Sequence, residues 1–280
     1  MIVSGKARLA GVIGWPVSHS RSPRLHGFWL EHLGIDGAYL PLPVAPEDLE
    51  TVMKALPRMG FRGVNLTVPH KEAVTALVDE LEPLAARIGA VNTVIVRPDG
   101  SLLGRNTDAF GFLENLRCGC PAWSPSAGPA VVLGAGGAAR AVVAALSEAG
   151  LPEIRLLNRG RGRAEQLAMD LGGPIAVHDW SERADALAGA GLLVNTTTLG
   201  MTGQSGLELD LSALPVTALV NDIVYVPLET DLLARARRRG NPVVDGLGML
   251  LWQAVPGFEA WFGARPGVTD ALRDFVLAGE

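Results

Sequence analysis

Short apolar runs alternate along the chain with longer segments whose apolar residues recur every three or four positions. The short runs have the length and the Val, Ile and Leu content of strands, and the longer segments have the periodicity of amphipathic helices. The strand-like runs are residues 9–14, 38–42, 63–68, 92–96, 101–104, 129–134, 153–158, 191–196 and 218–225. Strands that alternate with helices are typical of α/β proteins, so the pattern predicts parallel sheets with right-handed crossovers.

Glycines mark the ends of the predicted helices. Helical periodicity covers residues 23–34, 46–57, 71–88 and the tail from Gly248. Gly34 and Gly60 follow the first two of these segments as stop signals. Lys71 is predicted to stand at the start of the third segment, immediately after a proline turn.

A hairpin and a polar linker divide the pattern into two series. The runs 92–96 and 101–104 flank Arg97–Gly100, whose Pro, Asp and Gly residues suit a tight turn. The proline-rich stretch 120–129 precedes the second series of strands. Two α/β units that separate near residue 110 are therefore predicted.

Composition excludes several classes of partner. The 280 residues are 48% apolar, and 24 Lys+Arg against 29 Asp+Glu give a net charge of -5, which favours neither nucleic acid nor an anionic membrane. The apolar runs are shorter than a transmembrane helix requires, and the first residues lack a signal-peptide core. Cys118 and Cys120 are too close for an ordinary disulfide, and the five histidines lack metal-ligand spacing. We expect a reduced cytoplasmic protein without a metal site.

A glycine loop follows the strand at 129–134. Gly134, Gly136 and Ala139 satisfy the G-x-G-x-x-A pattern at a strand-to-helix turn. The first glycine permits the turn, the second lets a pyrophosphate approach the backbone, and the small third residue packs the helix on the strand. In this context the loop predicts a dinucleotide-binding unit rather than an ordinary glycine-rich turn.

The end of the next strand indicates which dinucleotide is bound. An NAD site usually has a carboxylate there for the ribose 2′-hydroxyl, but this chain has Asn158, Arg159, Arg161 and Arg163. Guanidinium groups make charge-assisted bonds to a phosphate, so the loop favours NADP. An ordinary basic surface loop is the alternative.

Polar residues also cluster around the predicted strand ends of the first series. Ser20 and Ser22 alternate ahead of a helix, where they could cap it or donate together to a carboxylate. Asn65, Thr67, Lys71, Asn92 and Asp108 lie at or beyond strand termini, where α/β proteins build their sites. Each residue alone fits ordinary turn chemistry, but together they indicate a functional site.

These segments together resemble the shikimate dehydrogenase family over nearly the whole chain. The resemblance rests on SHSRSPRLH, NLTVPHK, VNT, GRNTDAFG, GAGGAARA, NRGRGRA, NTTTLGM, NDIVYVPLET and DGLGMLLWQA. It implies reversible reduction of 3-dehydroshikimate with NADPH. It also implies an α/β substrate domain over 1–107 that the helices of 247–280 complete, and a Rossmann-type NADP domain over 108–246.

The resemblance also assigns roles to individual residues. Lys71 would be the acid/base group and Asp108 its partner. The implied substrate contacts are Ser20, Ser22, Thr67, Lys71, Asn92, Asp108, Tyr225 and Gln253. The implied cofactor contacts are Gly134, Ala135, Gly136, Gly137, Ala138, Asn158, Arg159, Arg163, Thr197, Ile223, Gly246 and Met249. The expected partner is a small molecule, and the expected assembly is a monomer or homodimer.

Three positions depart from the family pattern, and two alternative functions stay open. Trp15 replaces a usual asparagine, Gly160 a usual threonine beside the 2′-phosphate, and Asp231 a usual proline. A quinate/shikimate dehydrogenase with relaxed substrate or NAD use would tend to have an acidic residue in place of Arg159. A regulatory protein of this fold without turnover would lack Lys71 or Asp108.

Overall fold

The computed structural model describes residues 3–278, and these form two compact units. The first unit contains the chain up to Thr107 and the residues from Leu251 onward, and the second contains Asp108–Leu250. The resemblance sets the return to the first unit at residue 247. In the structure the division falls at Leu251, inside the helix Leu247–Phe262.

The first unit is built on a six-stranded mixed sheet. Its strands are β1 Arg8–Gly14, β2 Gly37–Pro43, β3 Phe61–Leu66, β4 Glu80–Leu81, β5 Thr93–Val96 and β6 Leu102–Arg105. Their order is β2-β1-β3-β5-β6-β4. Strand β1 is parallel to β2 and β3. Strand β5 is antiparallel to β3, and it is also antiparallel to β6, to which a hairpin joins it.

The second unit is built on a six-stranded sheet whose strand pairs are all parallel. Its strands are β7 Ala130–Leu133, β8 Ile154–Leu157, β9 Ile175–His178, β10 Leu192–Asn195, β11 Leu219–Asp222 and β12 Val243–Val244. Their order, β12-β11-β10-β7-β8-β9, is that of a dinucleotide-binding sheet. The strand order reverses between β7 and β10, and ligands bind such sheets at the carboxyl ends beside that reversal. The predicted α/β class with a Rossmann-type unit is confirmed.

The helices begin and end at local signals in the sequence. They are α1 Ser22–His32, α2 Leu49–Ala55, α3 Pro83–Ile88, α4 Asp108–Gly119, α5 Gly137–Glu148, α6 Arg161–Leu171, α7 Asp231–Arg239, α8 Leu247–Phe262 and α9 Asp270–Leu277. Thr230 and Thr269 cap α7 and α9 by accepting bonds from backbone N–H groups. Gly34 has φ of 62° and follows α1 as a stop. Among residues 3–278, no helix has the length and apolar character needed to cross a bilayer.

The helix predicted over residues 71–88 is wrong. The structure breaks this segment into a short 3-10 turn at Ala73–Ala76, strand β4 and helix α3. Pro83 disfavours a helical conformation for the residue before it, so α3 begins only at the proline. The backbone N–H groups of Asp79 and Glu82 donate instead to carbonyls of the β6 segment, both at 2.9 Å. Sheet pairing therefore overrides the helical spacing of the apolar residues.

Strands β4, β9 and β12 were missing from the sequence prediction. Strands β4 and β12 have two residues each, which is too short for a period to be recognised. Strand β9 has four residues, and every one is half-buried. It lies at one edge of the second sheet, as β12 does at the other. Short edge strands leave the weakest pattern in a sequence.

Candidate active site

The segment after β3 determines the position of Lys71. The Thr67 N–H donates to the Ile13 carbonyl, and the His70 N–H donates to the Thr67 carbonyl, both at 2.9 Å. The Lys71 carbonyl accepts a bond from the Val91 N–H at 2.8 Å, which ties this turn to the segment before β5. Lys71 is half-buried and lies in the turn rather than in a helix.

Gly14 explains how Thr67 fits beside β1. A Cβ atom added to Gly14 would lie 2.5 Å from Cγ2 of Thr67, which is shorter than real Cβ contacts. A larger residue at position 14 would displace Thr67. The glycine at the end of β1 therefore fixes the location of a predicted substrate contact.

Buried side chains form a hydrogen-bonded cluster beside the carboxyl end of β3, which we call the amide cluster: Asn65, Asn92, Thr93, Thr107 and Gln253. Nδ2 of Asn65 donates to the Asn92 carbonyl and to Oγ1 of Thr93, both at 3.0 Å. Oδ1 of Asn92 accepts from the Thr107 N–H at 2.8 Å. Because each member bonds others, the amide of Asn92 is held in one orientation.

Gln253 joins the amide cluster from the C-terminal tail. It lies on α8 within an apolar stretch, is 8% exposed, and its Oε1 accepts from Nδ2 of Asn92 at 3.2 Å. A buried amide in an apolar stretch needs a polar partner, and Asn92 supplies it. The structure thus brings together two residues that are 161 positions apart and that both belong to the predicted substrate contacts.

Ser20 and Ser22 of the segment SHSRSP lie at the start of α1. The N-cap of α1 is Arg21, and its side chain makes no capping bond. The Ser22 N–H donates to Oγ of Ser20 at 3.3 Å, and Ser22 is buried while Ser20 is half-buried. Ser20 thus accepts a bond from the first N–H group of α1, as the capping alternative expects, and its role toward a carboxylate stays a prediction.

Tyr39, which was not predicted as a site residue, links Ser22 to the amide cluster. Its hydroxyl donates to Oδ1 of Asn65 at 2.6 Å and also bonds the Ser22 side chain. Burial raises the pKa of Tyr39 well above its ordinary value, so the phenol is neutral. A single tyrosine inside the β2 pattern carries no sequence signal beyond strand propensity.

His26 packs on the other side of Tyr39. The two rings are stacked at 3.9 Å between centroids with an interplanar angle of 5°. Burial lowers the pKa of His26 to about 3, which makes it a neutral packing residue rather than a base at ordinary pH. Its place against Trp29 and Phe258 fits that role.

Asp108 begins helix α4 directly after two buried residues. Nδ2 of Asn106 donates to the Ala90 carbonyl at 3.0 Å, and Thr107 bonds Asn92 as described. The residues preceding Asp108 are thus anchored, and Asp108 itself is buried. A carboxylate in the first turn of a helix is stabilised by the exposed N–H groups there.

The glycine loop leaves the amino end of α5 open. Gly134 has φ of 108°, and a Cβ there would lie 2.6 Å from Oγ1 of Thr196, so only glycine fits. Among residues 3–278, apart from chain neighbours and the backbone of α5 itself, no atom lies within 4 Å of a Cβ added to Gly136 or Gly137. Ala139 is fully buried, as close packing of helix on strand requires. The loop has the space and the N–H groups to hold a diphosphate.

The structure separates the three arginines that follow β8. Arg161 forms ion pairs at 2.8 Å with Glu165 and with Asp179, and its pKa is raised mainly by the hydrogen bond that it donates to Asp179. Arg159 and Arg163 are exposed, and within residues 3–278 neither pairs with a carboxylate. The two unpaired arginines are the ones predicted to bind a 2′-phosphate.

The three family departures lie in different local surroundings. Nδ2 of Asn158 donates to the Gly160 carbonyl at 2.9 Å, and Gly160 precedes α6. Asp231 begins α7 and pairs with Arg235 at 2.7 Å, a favourable position for an acid. The Trp15 ring is about half exposed.

Four predicted nicotinamide-side residues come from three segments of the second unit. Thr197 bonds Oδ1 of Asn195 through its N–H and its hydroxyl, at 3.1 Å and 2.7 Å. A Cβ on Gly246 would overlap the Ile223 carbonyl, so these two predicted residues are in contact. Met249 follows on α8 and is buried. Gly246 therefore has a packing role in addition to its predicted one.

Asp222 is the last residue of β11, and Tyr225 lies in the loop that follows. Tyr225 is half-buried. Asp222 is fully buried, and burial raises its pKa to about 6. Asp222 was not selected from the sequence, although a carboxylate inside the largely apolar stretch ALVNDIVY is an available signal.

Two family models match the chain. Residues 12–94 match the shikimate dehydrogenase substrate binding domain, and residues 125–200 match shikimate / quinate 5-dehydrogenase. A curated relative from Paramagnetospirillum magneticum, shikimate dehydrogenase (NADP+), is 76% identical over 276 residues, covering 99% of this chain and 100% of the relative. One with the same name from Rhodospirillum rubrum is 63% identical over 280 residues, with 99% of both covered.

Solved structures are similar over the same length. Shikimate 5-dehydrogenase from Thermus thermophilus, in complex with NADP(H) and shikimate, is 42% identical with a TM-score of 0.86, covering 97% of this chain and 99% of that chain. Quinate dehydrogenase from Corynebacterium glutamicum, in complex with NAD, is 33% identical with a TM-score of 0.91 and the same coverage.

Proposed function

Because the chain belongs to the shikimate dehydrogenase family, we propose that it catalyses the reversible NADPH-dependent reduction of 3-dehydroshikimate to shikimate. The observation that carries this proposal is the 76% identity, over 99% of this chain, to a relative named for that NADP-dependent activity. The enzyme would act in the shikimate pathway, which leads to chorismate and the aromatic amino acids.

The second unit has the residues that an NADP molecule needs. The glycine loop from Gly134 to Ala138 would hold the diphosphate, because it offers open space and helix N–H groups. Asn158, Arg159 and Arg163 would hold the 2′-phosphate by charge-assisted bonds. Thr197, Ile223, Gly246 and Met249 would line the nicotinamide side. When bound, the cofactor supplies the hydride for reduction or accepts it in the reverse direction.

The first unit supplies most of the proposed substrate contacts. Ser20 and Ser22, together with Tyr225 of the second unit, would bind the carboxylate of the substrate. Thr67, Asn92 and Gln253 would bind the ring hydroxyls. Support for this assignment comes from the amide cluster, because its fixed amides suit recognition of hydroxyl groups at defined positions.

Lys71 would act on the oxygen at which charge develops. During reduction the carbonyl oxygen becomes an alkoxide, and a positioned ammonium group can stabilise that charge and donate a proton. Asp108 would keep the ammonium oriented and bond a substrate hydroxyl. Such general acid–base catalysis contributes about 10²–10⁴-fold, or roughly 3–5 kcal/mol of the barrier.

We further propose that the enzyme works in the cytoplasm as a monomer or homodimer on its small-molecule substrate. Cys118 and Cys120 are free thiols, which agrees with a reducing compartment. Sedimentation of the purified protein across a range of concentrations would show which assembly it forms.

A product assay tests the proposed activity. Purified protein would be incubated with 3-dehydroshikimate and NADPH, and the product identified by NMR. We expect shikimate to accumulate in step with NADPH consumption. NADPH binding without any shikimate formed would overturn the proposal and favour a binding protein of the same fold.

A further inference from the structure

Asp222 is a buried carboxylate that the proposed mechanism does not use. It ends β11, is 0% exposed, and within residues 3–278 it forms no ion pair with Lys, Arg or His. Charge buried in this way is unfavourable unless several hydrogen bonds compensate it. The donors that approach Asp222 therefore indicate why the sequence keeps an acid there.

The two carboxylate oxygens of Asp222 have different partners. Oδ1 accepts from Nδ2 of Asn195 at 3.0 Å and from the Val224 N–H at 3.1 Å. Oδ2 accepts from the hydroxyl of Thr230, the N-cap of α7, at 2.7 Å. Oδ1 thus joins the end of β10 to the loop after β11, while Oδ2 serves only the start of α7.

Oδ1 of Asp222 must accept both of its hydrogen bonds, because both partners face it with donors. Oδ1 of Asn195 already accepts from the N–H of Thr197, which can only donate, so Nδ2 of Asn195 must face Asp222. The Val224 N–H is likewise a donor only. An acceptor is therefore obligatory at Oδ1, whereas the Thr230 hydroxyl can donate or accept.

We propose that Asp222 is a positioning residue that fixes the loop after β10 and the loop after β11 together through Oδ1. Through Asn195 it orients Thr197, and through the Val224 N–H it holds the neighbours Ile223 and Tyr225. The roles given to these residues rest on the proposed function. Asp222 thereby acts on cofactor binding and on binding of the substrate carboxylate without touching either molecule.

Three variants separate positioning from general stability. Asp222→Ala removes the obligatory acceptor, and loss of such buried bonds should raise the KM for both NADP and shikimate by about tenfold. Asp222→Asn keeps an oxygen toward Asn195 and Val224 and presents its NH₂ to the Thr230 hydroxyl, so both KM values should stay within about twofold of wild type. Thr230→Val should lower Tm but leave both KM values unchanged, because the Oδ1 bonds survive.

Hydrogen exchange gives a readout that needs no turnover. The amides of Thr197 and Val224 both depend on this network, so in Asp222→Ala they should exchange faster than in wild type, while Thr230→Val should leave them protected. An enzyme without shikimate turnover but with this exchange pattern would disprove the proposed function and not the positioning role.

The kinetic pattern can also overturn the positioning role. Unchanged KM values in Asp222→Ala with only a lower Tm would show a structural residue, and so would unchanged exchange of both amides. If Asp222→Ala does not fold, Asn195→Ala tests the arm that reaches the loop after β10, because it removes the bonds of Asn195 to Asp222, Thr197 and the Leu199 carbonyl and keeps the bond from the Val224 N–H to Asp222. Asn195→Ala should raise the KM for NADP and leave the KM for shikimate unchanged. No change in either KM would contradict the proposal.

Discussion

At the scale of single residues, the proposed chemistry depends most on Lys71. In Lys71→Ala we expect kcat to fall by at least about 10²-fold with a smaller change in the KM for shikimate, because the acid/base group is lost. Steady-state rates measure both constants. Lys54→Ala is the matched control, since Lys54 is an exposed lysine paired with Glu50 on α2. Near wild-type turnover in Lys71→Ala would remove this residue from catalysis.

The arginines after β8 allow a test of cofactor choice. Arg159→Ala should raise the KM for NADP by about tenfold or more, because a charge-assisted bond is lost, and should leave the KM for NAD nearly unchanged. Arg161→Ala provides the comparison, since Glu165 and Asp179 already bind its guanidinium group. Equal effects of the two substitutions on the KM for NADP would show that the 2′-phosphate is not bound at Arg159.

The raised pKa of Asp222 predicts a specific pH dependence of stability. Its native pKa is about 6 against an ordinary 3.8, so the native state binds the extra proton between these values. The contribution of Asp222 to the free energy of unfolding therefore falls as the pH rises through this window, by up to about 3 kcal/mol. Asp222→Asn lacks this loss, so relative to wild type it should gain stability as the pH rises from about 4 to about 7.

Urea unfolding of both proteins across this pH range measures the difference directly. Exposed carboxylates with lowered pKa, such as Asp170, contribute equally to the two proteins and cancel. A difference in unfolding free energy that does not change with pH would show that Asp222 titrates at an ordinary value.

Candidate site residues could be selected from the sequence where a pattern of residues carries the chemistry. The glycine loop and the arginines after β8 were recognisable because their order along the chain follows from how a strand, a turn and a helix contact phosphate. Tyr39 was missed, because one tyrosine in a strand does not reveal that its hydroxyl reaches Asn65. Asp222 was also missed, since its role depends on two loops that only the folded sheet brings together.

At the scale of secondary-structure elements, the turn at Gly134 offers a test of the cofactor loop. Gly134→Ala should lower the free energy of unfolding by at least about 1–3 kcal/mol, because φ of 108° disfavours a side chain and Thr196 occupies the space. The same substitution should also lower the affinity for NADP. Chemical denaturation and cofactor titration measure the two effects.

Gly27→Ala is the control substitution for Gly134→Ala. Gly27 lies inside α1, and in the described part of the chain an added Cβ would have no atom within 4 Å beyond its chain neighbours and the backbone of α1. Alanine there should be neutral or stabilise the protein by up to about 1 kcal/mol. Equal losses of stability in the two variants would contradict the explanation from backbone conformation.

Elements were predicted best where the pattern is long or the strand fully buried. Strand β7 has four fully buried residues and was predicted to within a residue. Residues 71–88 misled the prediction, because β4 pairs with β6 within this segment and Pro83 blocks a continuous helix. Helical spacing of apolar residues is weak evidence where a proline interrupts it.

At the scale of the whole molecule, the chain builds two units with separate cores. Ile13 and Val64 belong to the core of the first unit, and Val131 and Leu193 to that of the second. The chain leaves the first unit at Thr107 and returns at Leu251. The alternation of strands and helices was enough to predict two such units, because each forms its own sheet.

The proposed oxidation of shikimate with NADP is tested by comparing kcat/KM for four substrate pairs. Shikimate and quinate would each be measured with NADP and with NAD under identical conditions. We predict that shikimate with NADP exceeds every other pair by about tenfold or more, since Arg159 and Arg163 favour the 2′-phosphate. A larger kcat/KM for quinate with NAD, or no shikimate-dependent reduction of NADP, would contradict the account.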